Sequence, residues 1–316
     1  MPTLAEPAAA SAASQRRFGQ YAWAVLGFNL LVVLWGAFVR ATGSGAGCGS
    51  HWPLCNGQVV PRGPELATVI EFTHRLTSGL DLVLVAVLLV WAFRAFPPRH
   101  AVRLGAVLTT IFLITEALLG AGLVLLDHVA RNQSTTRAYS LSLHLINTLT
   151  LIACLTLTAW WASGGAPVRV RGRAAWMPVT TLALTILMGI SGAIAALGDT
   201  LFPVTSLAEG WRLDFSSSAH IFIRLRLAHP FIAVAGGACL LYYFVSSATR
   251  HAGDLTGRIA TAGTVLMIAQ LLAGTMNVLL LAPVPMQILH LFLADLIWIA
   301  LVLLGARQLA VHTAAR

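Results

Sequence analysis

At 316 residues, with 58% apolar side chains and only 10% charged, the chain falls outside the soluble class, in which about 25% of residues are charged. Its formal net charge of +9 comes from 20 basic residues, every one an arginine. These arginines sit in short connections between apolar runs, so the charge points to membrane topology, with the lipid bilayer as partner and no nucleic acid.

The first twenty residues, rich in Ala and Ser and carrying Arg16 and Arg17, read as a mobile cytoplasmic tail. Apolar runs follow at 21–41, 69–93, 104–126, 139–161, 176–197, 225–247, 259–281 and 286–307. Each approaches or exceeds the ~20 residues that a helix needs to cross ~30 Å of hydrocarbon. Open strands are excluded because lipid offers no partner to an unpaired backbone. The first run is longer than a signal-peptide core of roughly 7–15 residues, so it reads as a retained span. The expected fold class is an all-α membrane protein: eight transmembrane helices in two pseudo-symmetric four-helix bundles, 21–163 and 176–308. A cytoplasmic linker, 164–175, joins them, and a tail, 309–316, closes the chain. Twelve arginines fall on the side of the 94–103 and 169–173 connections and eight on the other, which puts both termini in the cytoplasm.

Between the first two runs lies a glycine-rich loop, Gly43 to Gly57, holding Cys48 and Cys55. It falls outside, where an oxidising compartment makes a disulfide the expected state. A structural staple and a redox-active pair both remain open for it. Cys154 and Cys239 lie within apolar runs and read as inert packing. The second run opens on Glu71-Phe-Thr-His74-Arg75.

The halves resemble each other. The third run reads Ile114-Thr-Glu116-Ala-Leu-Leu-Gly120 and the seventh Ile268-Ala-Gln270-Leu-Leu-Ala-Gly274. Leu143-His144-Leu145 in the fourth matches Leu289-His290-Leu291 in the eighth, and His74 in the second matches His229 in the sixth. In the first and fifth runs, leucine spacing aligns Gly36 with Gly189. With four spans per unit both copies face the same way, related by an axis along the membrane normal.

Six of the ten histidines, His51, His100, His128, His220, His251 and His312, fall in loops or tails and read as solvated. His74, His144, His229 and His290 instead lie near the outer start of even-numbered runs, some five residues or ~7–8 Å deep at 1.5 Å per residue. Intramembrane ionisable groups are expensive and usually functional; an interhelical hydrogen bond from each is the alternative. Zinc would want four ligands, and no Cys-x-x-Cys completes such a set. Haem iron takes axial imidazoles with its flat ring between helices, so one bis-histidine haem site per half fits best. Arg75 and Arg226 either meet haem propionates or anchor helix ends. Glu71 shares a helical face with His74 and could accept a proton or stabilise charge beside the ring. Asp81 lies deeper on that face, while Glu116 and Asp295 read as interhelical bonding groups or unassigned carboxylates.

The loop Arg40-Ala-Thr-Gly-Ser-Gly-Ala-Gly-Cys48 with Trp52-Pro-Leu-Cys55-Asn-Gly, followed by Glu71-Phe-Thr-His74-Arg75, resembles the haem A synthase family over about residues 20–308. The resemblance implies a bacterial inner-membrane oxidoreductase that converts the methyl group of haem O to the formyl group of haem A for cytochrome c oxidase. It implies that His74 and His144 flank the substrate haem O, that His229 and His290 ligate a haem b, that Glu71 is the catalytic carboxylate, and that Cys48 and Cys55 act in the outer loop. Haem O synthase and a membrane electron carrier become expected partners, with a homo-oligomer as a further arrangement. The stretch 198–224 departs from members that carry a second cysteine pair there, for it contains no cysteine. A di-haem cytochrome b relaying electrons, and a haem transporter or chaperone, are the alternatives that use the same histidines.

Overall fold

The computed structural model describes residues 12–310. Its helices are α1 (Ala12–Ala41), α2 (Leu66–Ala95), α3 (Ala101–Leu125), α4 (Thr135–Ala162), α5 (Trp176–Leu201), α6 (Leu207–Asp214), α7 (Ile221–Arg250), α8 (Leu255–Leu279) and α9 (Val284–Gln308). All but the short α6 are long and apolar enough to cross a membrane, with mean hydropathy of 1.6 to 2.4 over their most apolar stretches. Among the described residues there is no strand, only two isolated bridges.

Helix starts follow local chemistry. Ser134 caps α4 by accepting from the Arg137 N–H, and Asp254 caps α8 by accepting from the Gly257 N–H at 2.9 Å. His100 and His220, expected to be merely solvated, cap α3 and α7 through Nδ1. Residues 12–20 are helical and continue α1, because Phe18 is fully buried beside Trp91 and Phe96, and Gln15 donates to the Ala95 carbonyl. The mobile tail expected over 1–20 therefore does not cover 12–20; residues 1–11, and 311–316 of the expected C-terminal tail, lie outside the described residues.

Within the first half, α1 packs on α2, α2 on α3, α3 on α4 and α4 back on α1; α5, α7, α8 and α9 form the same ring in the second. The rings meet through α1 and α4 on one side and α5 and α9 on the other. Trp298 of α9 donates to the Leu149 carbonyl of α4 at 2.7 Å, and Arg40 of α1 reaches the Ala196 carbonyl, Thr200 Oγ1 and Gln287 Oε1, each at 3.0 Å.

Packing is uneven along the helices. One core gathers Phe18, Leu26, Val85, Leu88, Val102, Leu113, Leu149 and Leu155; the other gathers Leu240, Phe244, Met267 and Leu301. Both lie toward the end remote from the cysteine loop. They stop at Leu30 on α1, Val85 on α2, Leu113 on α3 and Leu149 on α4, and at Leu240, Met267 and Ile297 in the second half.

Candidate functional site

Beyond the point where the two cores stop lie the four histidines, six to nine residues into their helices. They sit deeper than the sequence suggested, because each of these helices begins two to four residues before its apolar run. All four are only partly buried. His74 and His144 fall within electrostatic range of each other, as do His229 and His290.

Each imidazole lies against a glycine of a neighbouring helix. A Cβ at Gly36 would come 3.0 Å from the His74 ring, one at Gly192 3.0 Å from His229, one at Gly274 2.9 Å from His290, and one at Gly120 3.9 Å from His144. Gly36 is thus matched by Gly192, not by Gly189 as leucine spacing suggested; Gly189 faces Leu145. A small residue at each contact leaves the ring room beside the neighbouring backbone.

The immediate partners differ between the halves. In the first, His144 Nε2 lies 3.2 Å from Glu116 Oε1. Glu116 also accepts from Asn147 Nδ2 at 2.6 Å and from the Thr148 hydroxyl. In the second, His229 Nδ1 meets the Ser191 hydroxyl at 2.9 Å, and His290 Nε2 meets Gln270 Nε2 at 3.3 Å. The Nδ1 atoms of His74 and His290 are buried without a partner. Such orphaned polar atoms are unusual in a folded protein and call for a ligand or other explanation.

Over the first pair lies the cysteine loop. Cys48 and Cys55 form a disulfide and are fully buried. The loop rests on α2 at Gly47, where a Cβ would come 2.4 Å from the Ala67 carbonyl. Glu71, 3% exposed, accepts from the Cys48 N–H at 2.9 Å through Oε2 and pairs with Arg75 through Oε1 at 2.5 Å. Arg75 also donates to the carbonyls of His51 at 2.7 Å and Leu54 at 2.8 Å. Glu71 and Arg75 thus act together as the clamp of the loop. Arg226 is engaged in the second half by Asp199 at 3.1 Å and Asp214 at 2.6 Å. Asp81 is fully buried and accepts from Asn29 at 2.6 Å, with its other oxygen unpartnered, while Asp295 keeps one oxygen unpartnered.

No group of three or more His, Cys, Asp and Glu side chains with metal-holding geometry occurs among the described residues; the histidines come in twos. Imidazoles that come in pairs, each beside a glycine, with the Nδ1 atoms of His74 and His290 unpartnered, fit a planar ring whose iron is held by two histidines. Two surface hollows, of about 430 and 290 Å³, lie at the far end of the helices, lined by His100, Trp161 and Arg169 and by Trp176, Tyr243 and Arg250 respectively; neither reaches a site histidine.

The profile of the family described as cytochrome oxidase assembly protein (COX15-CtaA) matches residues 19–302. A protein named protoheme IX farnesyltransferase from Thermus thermophilus is 51% identical over 295 residues, 93% of this chain and 48% of that protein. The chain thus spans about half the length of that relative. Proteins named heme A synthase from Shouchella clausii and Halalkalibacterium halodurans are 47% and 43% identical over 95 residues, 30% of this chain and 32% of theirs.

Proposed function

Starting from its membership of the cytochrome oxidase assembly protein family, we propose that this chain is a haem A synthase, oxidising the methyl side chain of haem O to the formyl group of haem A. The observation that carries this is the pair of imidazoles in each half, within electrostatic range of each other and each beside a glycine of a neighbouring helix. His74 and His144 hold the substrate haem O in the first half. His229 and His290 would hold a haem b in the second, where it would supply one-electron chemistry. Glu71 keeps a fixed negative charge at the loop end of the first site, and its Arg75 partner ties the disulfide loop down so that water is kept from that end. Arg75 and Arg226 remain the candidate propionate contacts, each through whatever donor capacity their clamps leave. The working location is a bacterial inner membrane with both termini cytoplasmic, and haem O synthase, a membrane electron carrier and a homo-oligomer are the partners that follow.

The Thermus relatives raise a second assignment, in which this chain transfers a farnesyl group to protohaem. Leaving diphosphate is usually managed by divalent cations held on carboxylates together with the substrate phosphates. The 11 acidic residues of this chain include no two within four positions of each other. The site level, moreover, offers imidazoles rather than a carboxylate cluster. Farnesyl transfer is therefore assigned to the part of those longer proteins that this chain does not cover, and their joining supports a haem carrying a farnesyl group as the substrate here.

Haem extracted from protein purified out of a host that makes haem O is the test. Haem O or haem A alongside haem B is expected. Haem B alone would favour the electron-relay alternative, and conversion of haem B to haem O by the isolated chain would favour farnesyl transfer.

A further inference from the structure

Glu116 on α3 and Gln270 on α8 occupy the same place in their halves. Each lies four residues before the glycine, Gly120 or Gly274, that faces the histidine of the next helix, and each side chain touches Nε2 of that histidine. The two halves thus offer the same histidine position a carboxyl group in one case and a carboxamide in the other. Glu116 is itself well supplied: Asn147 and Thr148 both donate to it, and Thr115 fixes Asn147 by donating to Oδ1 at 2.6 Å. It is also reachable, with 18% of its side chain exposed beside 25% for His144.

An imidazole nitrogen that donates a hydrogen to a carboxylate is not free to bind iron, since iron needs the bare nitrogen. Hydrogen bonds to charged groups are about twice as strong as neutral ones. We infer that Glu116 competes with iron for His144 Nε2 and so makes the first-half haem exchangeable, whereas the neutral donation from Gln270, at 3.3 Å, is the weaker competitor, gives up His290 Nε2 to iron more readily and lets the second-half haem stay resident. This rests on the functional proposal above, and it supplies what a substrate site needs and a cofactor site does not, a ligand that lets go. When His144 takes the other tautomer and turns to iron, Glu116 keeps the Asn147 and Thr148 hydrogens, so no bare charge is stranded in the membrane. When product leaves, the ring returns to the carboxylate. Gln270 has no such set of donors: its Oε1 is buried without a partner.

The test is haem release from the full chain in detergent, loaded with protohaem and followed by transfer to excess apomyoglobin, with the low-spin absorption of each site recorded before release. Wild type is expected to release one haem fast and one slowly, the fast phase being absent in His144→Ala and the slow phase in His290→Ala. Glu116→Gln, close in shape, should slow the fast phase on the order of 10- to 100-fold, the range for one charge-assisted hydrogen bond, and raise its low-spin fraction. Gln270→Glu should speed the slow phase by a similar factor. A fast phase unchanged in Glu116→Gln, with the protein still binding two haems, overturns the role of Glu116 while leaving haem binding by the two halves intact. A wild type that binds only one haem, lost in His290→Ala but kept in His144→Ala, overturns the first-half haem site itself and the inference with it.

Discussion

Glu71 shows how a residue singled out for chemistry can also be a tie. Its two oxygens are shared between the Cys48 N–H and the Arg75 guanidinium. A glutamine there keeps the shape and one acceptor but loses the charge that orders Arg75 and, through it, the His51 and Leu54 carbonyls. Glu71→Gln is expected to retain haem and yet lower haem A formation by ~10²–10³, the usual effect of removing one preorganised electrostatic group. Haem A yield at equal protein level checks this; near-normal yield would leave Glu71 with the loop alone. Sequence spacing showed that Glu71 shares a face with His74. It did not show that the carboxylate turns toward the loop, because that depends on a backbone N–H 23 positions earlier in the chain. The contacts of Asn29, Asn147 and Arg40 are illegible in the sequence for the same reason: their partners, Asp81, Glu116 and Gln287, are distant in the chain.

Helix by helix, the apolar runs revealed eight spans because hydropathy is a local property. The ends were less legible, since Phe18 and Gln15 extend α1 through contacts with α2 and its C-terminal cap, Phe96. The eight-residue α6 leaves no signal in the hydropathy pattern, being too short and too polar to stand out. Histidine spacing pointed to a repeat, and leucine spacing paired Gly36 with Gly189 where the imidazole contacts pair it with Gly192, because leucines on lipid-facing surfaces carry little register information while a glycine against an imidazole carries much. The register can be tested directly. Gly192→Val should push His229 from its place and remove the second-half haem, with the first-half haem kept. Gly27→Ala, where a Cβ meets nothing within 4 Å, should leave both in place and stabilise α1 by up to ~1 kcal/mol. Equal loss of haem in both variants, read by absorbance per mole of protein, would mean that the glycine contact is not what seats the ring.

The two halves are held together by a few polar ties as well as by apolar contact. Arg40 extends from α1 to α5 and α9, and Trp298 from α9 to α4. Arg40→Met removes three hydrogen bonds and strands the Gln287 and Thr200 groups, which should destabilise the detergent-solubilised protein by on the order of 3 kcal/mol and lower its thermal midpoint. An unchanged midpoint would show that apolar contact alone joins the halves. Arginine bias predicts cytoplasmic termini, and a reporter fused after Arg316 tests it: activity only in its cytoplasmic form is expected, and activity only in its periplasmic form would reverse the orientation.

The cores that end at Leu30, Val85, Leu113 and Leu149, and again at Leu240, Met267 and Ile297, put both clusters of buried apolar side chains on the side away from the cysteine loop. Local opening is easiest where buried contacts are fewest, so amides on the cysteine-loop side should exchange with deuterium sooner than those around Leu88 and Leu155. Entry of the proposed haem on that side would need helices to part there, while the two clusters keep the bundle in register. Seating the proposed haem should stiffen that side, and slower exchange there on loading would record each arrival and departure.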